Sequence, residues 1–414
     1  MTTRSADLPT DVPSTVAEAL ARLPRVVDLL AARAEEHDRD ATFPYQGVEA
    51  LHEAGLLTLT LAPRYGGPGG TLADTVRVLG QLGRGDASVA VLAAFTLLQH
   101  AEQARAPRWP APVYRKLLAE SRRGPALVDT LRTEPGGGLG LPATVARRAA
   151  DGSWVLHGRK TYCAGSEALA WMAVWARTDE PAPRTGLFLV RGDAEGIEID
   201  PVWDQLGLRA SAGHDVLFDG VRVPVEAAVG LAEAGGPRSE AVLAAERLDL
   251  AWRDLALSAV LLGVARAAQG WLVRFLDRKP PANLTELPPV SGPRRPGEGH
   301  SLANLPRYRT ALGEMESSLI AAEELVSGLA AGVDRGEPTA VNRAAAAQLT
   351  VNRTATTAVQ QAVALAGNPG LSRRHPLERH LRDILSGRVY FPAEEVVLDA
   401  LGCVALERGT RRAH

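Results

Sequence analysis

Arg373, Arg374, Arg379 and Arg382 crowd into a short stretch, with His375 between them and Glu378 and Asp383 alongside. A guanidinium stays protonated at any ordinary pH, so none of the four arginines can act as a general base. They can hold an anion, because the planar fork gives bidentate hydrogen bonds to phosphate. The plainer alternative is an ion-pair network with Glu378 and Asp383. His375 adds a group that titrates near neutral pH and could deliver or accept a proton. A histidine satisfied at a helix start is the competing reading. Glu246 stands beside Arg247, and its ordinary role is to pair with that residue or one a turn further on. The hydroxyls of Thr133 and Ser211 could face a ligand or bond to nearby backbone. Trp171 and Trp203 could stack on a ring or fill a core. Gly136, Gly137, Gly138 and Gly140 suggest a dinucleotide loop only superficially, since no βαβ unit frames them.

The elements that must position these groups fall into three blocks. Val16, Leu20, Leu23, Val27, Leu30 and Ala34 step by three and four, which predicts a helix over 15–41, and Thr15 with Glu18 forms a capping-box pattern. A second helix runs from Tyr45 to Ala54 and stops at Gly55. Thr71 and Asp74 open a third, and Asp86 or Ser88 caps a fourth over Val89 to His100. After Gly124 and Pro125 the pattern changes. The segments 126–133, 145–149, 154–160, 171–177, 186–191 and 215–223 are short, rich in Val, Trp, Leu and Phe, and read as strands. From Ser239 the helical period returns. Leu312, Met315, Leu319, Ala322, Val326, Leu329 and Val333 mark one face, and Ala345, Leu349, Thr356, Val359 and Val363 another. The Pro/Gly-rich stretch from Arg278 to Arg307 is too long for an ordinary helix connection. It is expected to be functional or mobile, lying over a substrate entrance. This order predicts an α+β protein with a helical domain over 1–125, a β domain over 126–235 and a second helical domain over 236–414.

With 414 residues the chain has ample core for two or three domains. Net charge is −2 and the basic residues are dispersed among acids, so no stripe argues for nucleic acid. Cys163 and Cys403 offer neither a disulfide framework nor a paired metal spacing. The first residues lack the apolar run of a signal peptide, and no stretch is expected to approach the ~18 apolar residues of a membrane helix. A cytoplasmic protein without membrane contact is the expectation.

Several local motifs, in this order, resemble the acyl-CoA dehydrogenase superfamily. Leu61 to Gly69 is similar to the family's Pro-x-x-Tyr-Gly-Gly-x-Gly turn, and Thr133-Glu-Pro135 to its Thr-Glu-Pro. Gly158-Arg-Lys160 running to Gly165 resembles the strand and turn that face the flavin ring, and Trp203 to Ser211 the Leu-Gly-x-Arg-x-Ser/Thr segment. Gly367 to Asp383 resembles the C-terminal signature. The resemblance covers nearly the whole chain. It implies an N-terminal helical domain, a middle β-barrel domain and a C-terminal four-helix bundle. It also implies that Thr133, Cys163, Ala164, Gly165, Arg209 and Ser211 lie against a flavin. The Gly367 turn would reach the flavin of a neighbouring subunit, hence a homotetramer.

The departures from the pattern bear on chemistry. Many dehydrogenases of the family carry their base, an acidic residue, where this chain has Arg374, followed by His375. The wording from Pro376 to Asp383, with Gly387-Arg-Val389, is similar to the flavin-dependent monooxygenases built on this fold. These take reduced flavin from a separate reductase and use O2. Phe391-Pro-Ala393 replaces the Glu-Gly-Thr segment that contacts FAD in dehydrogenases, which favours FMN over FAD. The expected activity is a reductase-fed monooxygenase of a small organic substrate, with Arg374 and His375 catalytic. The alternative is a dehydrogenase of acyl-CoA or a carrier-bound acyl group, with Glu246 as base at a position some family members use. A flavin-free scaffold or binding protein is the third reading, kept open by the 390–393 segment and by Ala164, where Ser or Thr is common.

Overall fold

The computed structural model describes Pro13 and residues 15–136, 141–280, 301–389 and 392–411. Five helices come first: α1 (Val16–Asp40), α2 (Tyr45–Glu53), α3 (Leu72–Gly85), α4 (Ala87–Arg105) and α5 (Ala111–Ser121). Their starts are set locally. The Thr15 hydroxyl accepts from the Glu18 N–H, and Thr71 and Asp74 form a complete reciprocal capping box. The Asp86 carboxylate accepts from the N–H groups of Ser88 and Val89, which decides between the two residues expected to cap α4. Helix α5 was not anticipated. Its buried Val113, Tyr114, Leu117 and Leu118 make a helical stripe, but the stripe is short and follows Pro107 and Pro110.

The middle of the chain is an eight-stranded mixed sheet: β1 (Leu127–Leu131), β2 (Val145–Arg148), β3 (Trp154–Cys163), β4 (Leu169–Thr178), β5 (Arg184–Arg191), β6 (Ile197–Asp200), β7 (His214–Val223) and β8 (Ala228–Glu233). The spatial order is β6-β7-β3-β2-β4-β5-β8, with β1 pairing in parallel to β4. The six expected strands are present. β6 and β8 were missed, being too short and too polar for period-two alternation to stand out.

One interaction joins the exits of β1 and β3. Lys160, fully buried on β3, donates to the Glu134 carboxylate at 2.6 Å, and the hydroxyl and N–H of Thr144 reach the same oxygen. Burial pushes the Glu134 carboxyl up, but the bonds from Lys160, Thr144 and the Ala143 N–H outweigh it and hold the group at about 2. Gly158, two residues before the lysine, leaves room for Thr144: a Cβ there would come within 2.6 Å of the threonine hydroxyl.

The chain then returns to helices: α6 (Glu240–Arg278), α7 (Pro306–Asp334), α8 (Pro338–Ala366), α9 (Leu377–Ile384) and α10 (Glu394–Arg411). The predicted faces are the packed ones. Met315, Leu319, Ala322, Val326 and Val333 of α7 are buried, as are Leu349, Thr356 and Val359 of α8. The N-terminal helices share this core, with α3 lying along α6. The Asp334 carboxylate at the end of α7 accepts from Leu72 and Ala73, both at 2.9 Å, at the positive N-terminus of α3. The expectation that no stretch approaches membrane length fails at α6. An 18-residue window of this helix has a mean hydropathy of 1.5 and is long enough to span a bilayer. In the fold 67% of that window is buried, and the helix forms the centre of the core. The Leu302 N–H donates to the Lys279 carbonyl at 2.9 Å, tying the ends of the stretch expected to cover an entrance. Its residues 281–300 lie outside the described residues, as do 390–391.

Lys160→Met would leave a nearly buried carboxylate without its cation. Loss of one partner of such a pair costs about 3–5 kcal/mol, which urea unfolding at pH 7 should show. Because the folded pKa of Glu134 lies below the usual 4.5, its contribution is full above about pH 4.5 and is lost as pH falls toward about 2. That acid-dependent loss should shrink in the variant.

Candidate active site

β3 ends in a turn, Tyr162 to Ser166, that lies against a second turn, Leu208 to Ala212. The Gly165 N–H donates to the Ser211 carbonyl at 2.7 Å. Ser166 reaches the Ala212 carbonyl with its N–H at 3.2 Å and its hydroxyl at 2.7 Å. Among the described residues, four non-glycine residues have positive φ, and three of them are here: Tyr162 at 57°, Leu208 at 52° and Ala212 at 43°. Such conformations persist where surrounding structure dictates them, and they concentrate at ligand sites. Cys163, Ala164, Gly165 and Ser211 are buried. Tyr162 stands out from the turn, 64% exposed, with the Trp203 ring edge-on at 6.4 Å. The Trp203 N–H donates to His214 Nδ1 at 3.0 Å. His214 therefore carries its proton on Nε2, which donates to Glu167 at 3.1 Å. Thr133, just past β1, accepts the Thr161 N–H at 2.9 Å and so brings the β1 exit to the same turn. Trp171 belongs to the core, with its Nε1 donating to Glu120.

Helix α9 docks on the second turn. Asp383 accepts the Leu208 N–H at 2.8 Å. Arg382 bonds to both Asp38 oxygens at 2.8 and 2.5 Å, to Glu378 at 2.8 Å and to the Leu206 carbonyl at 2.9 Å. Gly207 lies so close to the Arg382 carbonyl that any Cβ would overlap it. Arg209 bonds the Asp38 carbonyl at 2.8 Å, so its guanidinium joins the turn to α1. Burial pushes the Asp383 carboxyl up to about 7 against the opposing pull of Arg379. Burial also brings His380 down to about 3, with Arg379 adding to it. Arg379, Arg382, Glu378 and Asp383 thus form the ion-pair network that was the plainer reading of the arginine run.

The remaining residues singled out in the sequence lie apart from the turn. Arg374 is exposed, and its backbone N–H donates to the Ser372 hydroxyl at 3.3 Å. The His375 ring sits 5.4 Å from Trp271, which itself stacks on Phe275. Gly367 closes α8 at φ 69° and is exposed. The Glu246 side chain is 41% exposed and is held by Arg238 through contacts of 2.7 and 3.0 Å, while Arg247 pairs with Glu240. The expected partner for Glu246, Arg247 or a residue one turn on, is therefore corrected to Arg238, eight residues back in the approach to α6. Among the described residues, no hydrogen bond or ion pair links Glu246, Arg374, His375 or Gly367 to the turn.

Sequence reasoning missed Tyr162, Asp129 and Arg132. An aromatic between Lys160 and Gly165 was a signal that could have pointed to Tyr162. Asp129 lies on β1 beside Cys163, and burial pushes its carboxyl up to about 7. Arg132 follows β1 directly, with its guanidinium 4.7 Å over the Trp175 ring.

The three parts of the chain match, in order, the N-terminal domain of acyl-CoA dehydrogenase over 25–109, the middle domain over 130–221 and the C-terminal domain over 293–405. L-Evernosamine nitrososynthase of a Micromonospora species is 30% identical over 385 residues, covering 87% of this chain and 85% of that protein. The chain belongs to the acyl-CoA dehydrogenase superfamily. YdbM of Bacillus subtilis, whose name assigns it provisionally to the acyl-CoA dehydrogenases, is 29% identical over 392 residues, 93% of this chain and 96% of its own. The structure of KijD3 in complex with FMN and dTDP-3-amino-2,3,6-trideoxy-4-keto-3-methyl-D-glucose superposes with a TM-score of 0.79 at 27% identity, covering 97% of this chain and 95% of that one. This superfamily member thus has similar relatives named for more than one reaction.

Burial, with Asp129 and Asp215 adding to it, pushes the Cys163 thiol far up, while Cys403 is exposed. Thiolate is the reactive form, so a disulfide reagent at pH 8 should modify Cys403 rapidly and Cys163 only after denaturation. Two fast-reacting thiols in the folded protein would contradict the buried turn.

Proposed function

We propose that this superfamily member is a flavin-dependent monooxygenase that receives reduced FMN from a separate reductase and uses O2 on a small organic substrate. FAD is the alternative cofactor. The turn fits a planar ring system. Tyr162 presents an exposed aromatic side chain there, and the Thr161 hydroxyl is a buried polar atom with no protein partner. Thr133, Cys163, Ala164, Gly165 and Ser211 would hold the ring, with Arg209 fixing the second turn. A bound flavin supplies the redox chemistry.

The single observation that carries this reading over a dehydrogenase concerns the base. At the two positions where family members place it, one is the guanidinium of Arg374. The other is the Glu246 carboxylate, half in solvent and committed to Arg238. A general base must reach the proton it removes and titrate near the working pH. Arg374 and His375 are instead donors, suited to stabilising charge that develops on oxygen. The FMN in the KijD3 complex and the nitrososynthase relative support the same side. Similarity to YdbM favours the second reading, an acyl-CoA dehydrogenase with Glu246 as base. The same proposal places domain boundaries after residues 125 and 235, the protein in the cytoplasm, and four chains in a closed assembly. Exposed Val396, Leu398, Leu401 and Val404 on α10 and Ile320 on α7 offer apolar surface for that assembly.

The test uses purified protein with a flavin reductase, FMN and a dTDP-linked amino sugar of the kind in the KijD3 complex. Oxygenated product and H2O2 are measured together. Glu246→Gln should leave oxygenation largely intact, and Arg374→Ala should raise H2O2 released per reduced flavin consumed. If Glu246→Gln abolishes turnover and an acyl thioester reduces the bound flavin anaerobically, the dehydrogenase reading stands instead. Failure to bind either redox state of flavin would leave only a scaffold. Light scattering that shows a stable monomer at micromolar concentration would remove the tetramer.

A further inference from the structure

Arg132 sits where β1, α4, α6 and β4 converge. The Gln99 amide of α4 donates to the Thr130 hydroxyl of β1 at 2.7 Å, and Trp175 of β4 lies beneath the guanidinium. The next residue, Thr133, bonds to Thr161 at the turn assigned to flavin. Arg132 is accessible to solvent, yet the protein around it is dense enough that burial lowers its pKa. Its guanidinium lies 4.7 Å over the Trp175 ring at this junction and is open to solvent.

Several carboxylates around Arg132 are committed to other arginines. Asp249 takes Arg105 at 2.7 Å and Arg108 at 3.2 Å, Glu102 takes Arg108 at 3.0 Å, and Glu246 takes Arg238 at 2.7 Å. Among the described residues Arg132 has no carboxylate within ion-pair distance. Burial is the main influence on its pKa, with Glu102 and Glu246 acting against Arg253 and Arg108 from further away. A guanidinium held over an indole ring is positioned by that contact and keeps N–H donors for an anion.

We propose that Arg132 is the anion receptor of the substrate site, binding a carboxylate or phosphate group of a polar substrate. This rests on the reading of the adjoining turn as the flavin site. It narrows the substrate to polar, anionic molecules, because an alkyl chain would have to desolvate this guanidinium without replacing its hydrogen bonds.

The test is calorimetric titration of the purified full-length chain, without flavin, with sodium acetate and with inorganic phosphate at constant ionic strength. At least one anion should bind saturably, and the tighter of the two identifies a carboxylate or a phosphate as the group recognised. Arg132→Gln should weaken that binding by at least about tenfold, as expected for loss of a charge-assisted fork. Arg132→Lys keeps the charge without the fork and should fall in between. Arg147→Gln, at an exposed pair with Asp179 on β2, should match the wild type. Absence of saturable binding in the wild type overturns the proposal, and so does wild-type affinity in either Arg132 variant. Neither result bears on flavin binding, which is measured separately.

Discussion

The buried bond between Lys160 and Glu134 is the constraint on which the site depends. It ties the residue after Thr133 to the residue before Thr161, so the exits of β1 and β3 cannot move apart. The first half of the site hangs from those two exits: Arg132 and Thr133 on one side, Tyr162 to Gly165 on the other. A buried pair of this kind is weak support for stability as such, since desolvation consumes much of the attraction. Its value here is positional. The bond converges with Thr144 on one carboxylate, and Gly158 admits Thr144 by having no side chain.

A second set of charges performs the corresponding task between domains. Arg382, Asp383 and Arg209 connect α9, the Leu206–Leu208 backbone and the end of α1. The turn bearing Ser211 is therefore held by the sheet from one side and by two helical segments from the other. The strained backbones of Leu208 and Ala212 lie within this clamp. Such strain is tolerated only where neighbours dictate the conformation. The arginine-rich run was most suggestive of chemistry in the sequence. Half of it turns out to be part of the frame, and Arg373, Arg374 and His375 remain outside the network.

How far the sequence was legible follows from the range of the interactions. Helix faces on α7 and α8 could be read because Met315, Leu319, Ala322 and Val326 repeat with the helix itself. The caps at Thr15, Thr71 and Asp86 were legible because partners lie two or three residues away. The domain order and most of the turn residues were visible through family motifs. What escaped depends on distant contacts or short signals. Arg238 meets Glu246 only because the approach to α6 folds back on the helix. Arg132 meets Trp175 only through the parallel pairing of β1 with β4, in which Leu131 lies opposite Val174. Tyr162 is an ordinary residue by type, and its left-handed backbone is set by the turn around it. No local rule reads these from composition or period.

Helix α6 carries a consequence for how the protein is made. Its 39 residues include a window as apolar as a membrane span, and it is covered on one flank by α3 and on another by α8. Synthesis runs from the N-terminus, so α3 and α4 already exist when α6 leaves the ribosome, whereas α8 follows later. The nascent chain therefore passes through a stage in which its greasiest segment has half a shelter. During that stage early docking of α6 onto α3 competes with chaperones, with aggregation and with the machinery that captures hydrophobic segments for membranes. Gly83 of α3 lies in backbone contact with Val260, and Gly263 of α6 with Gly80, a closeness that larger side chains would forbid. That tight seam lets the first-made helices claim α6 before the rest of the bundle arrives.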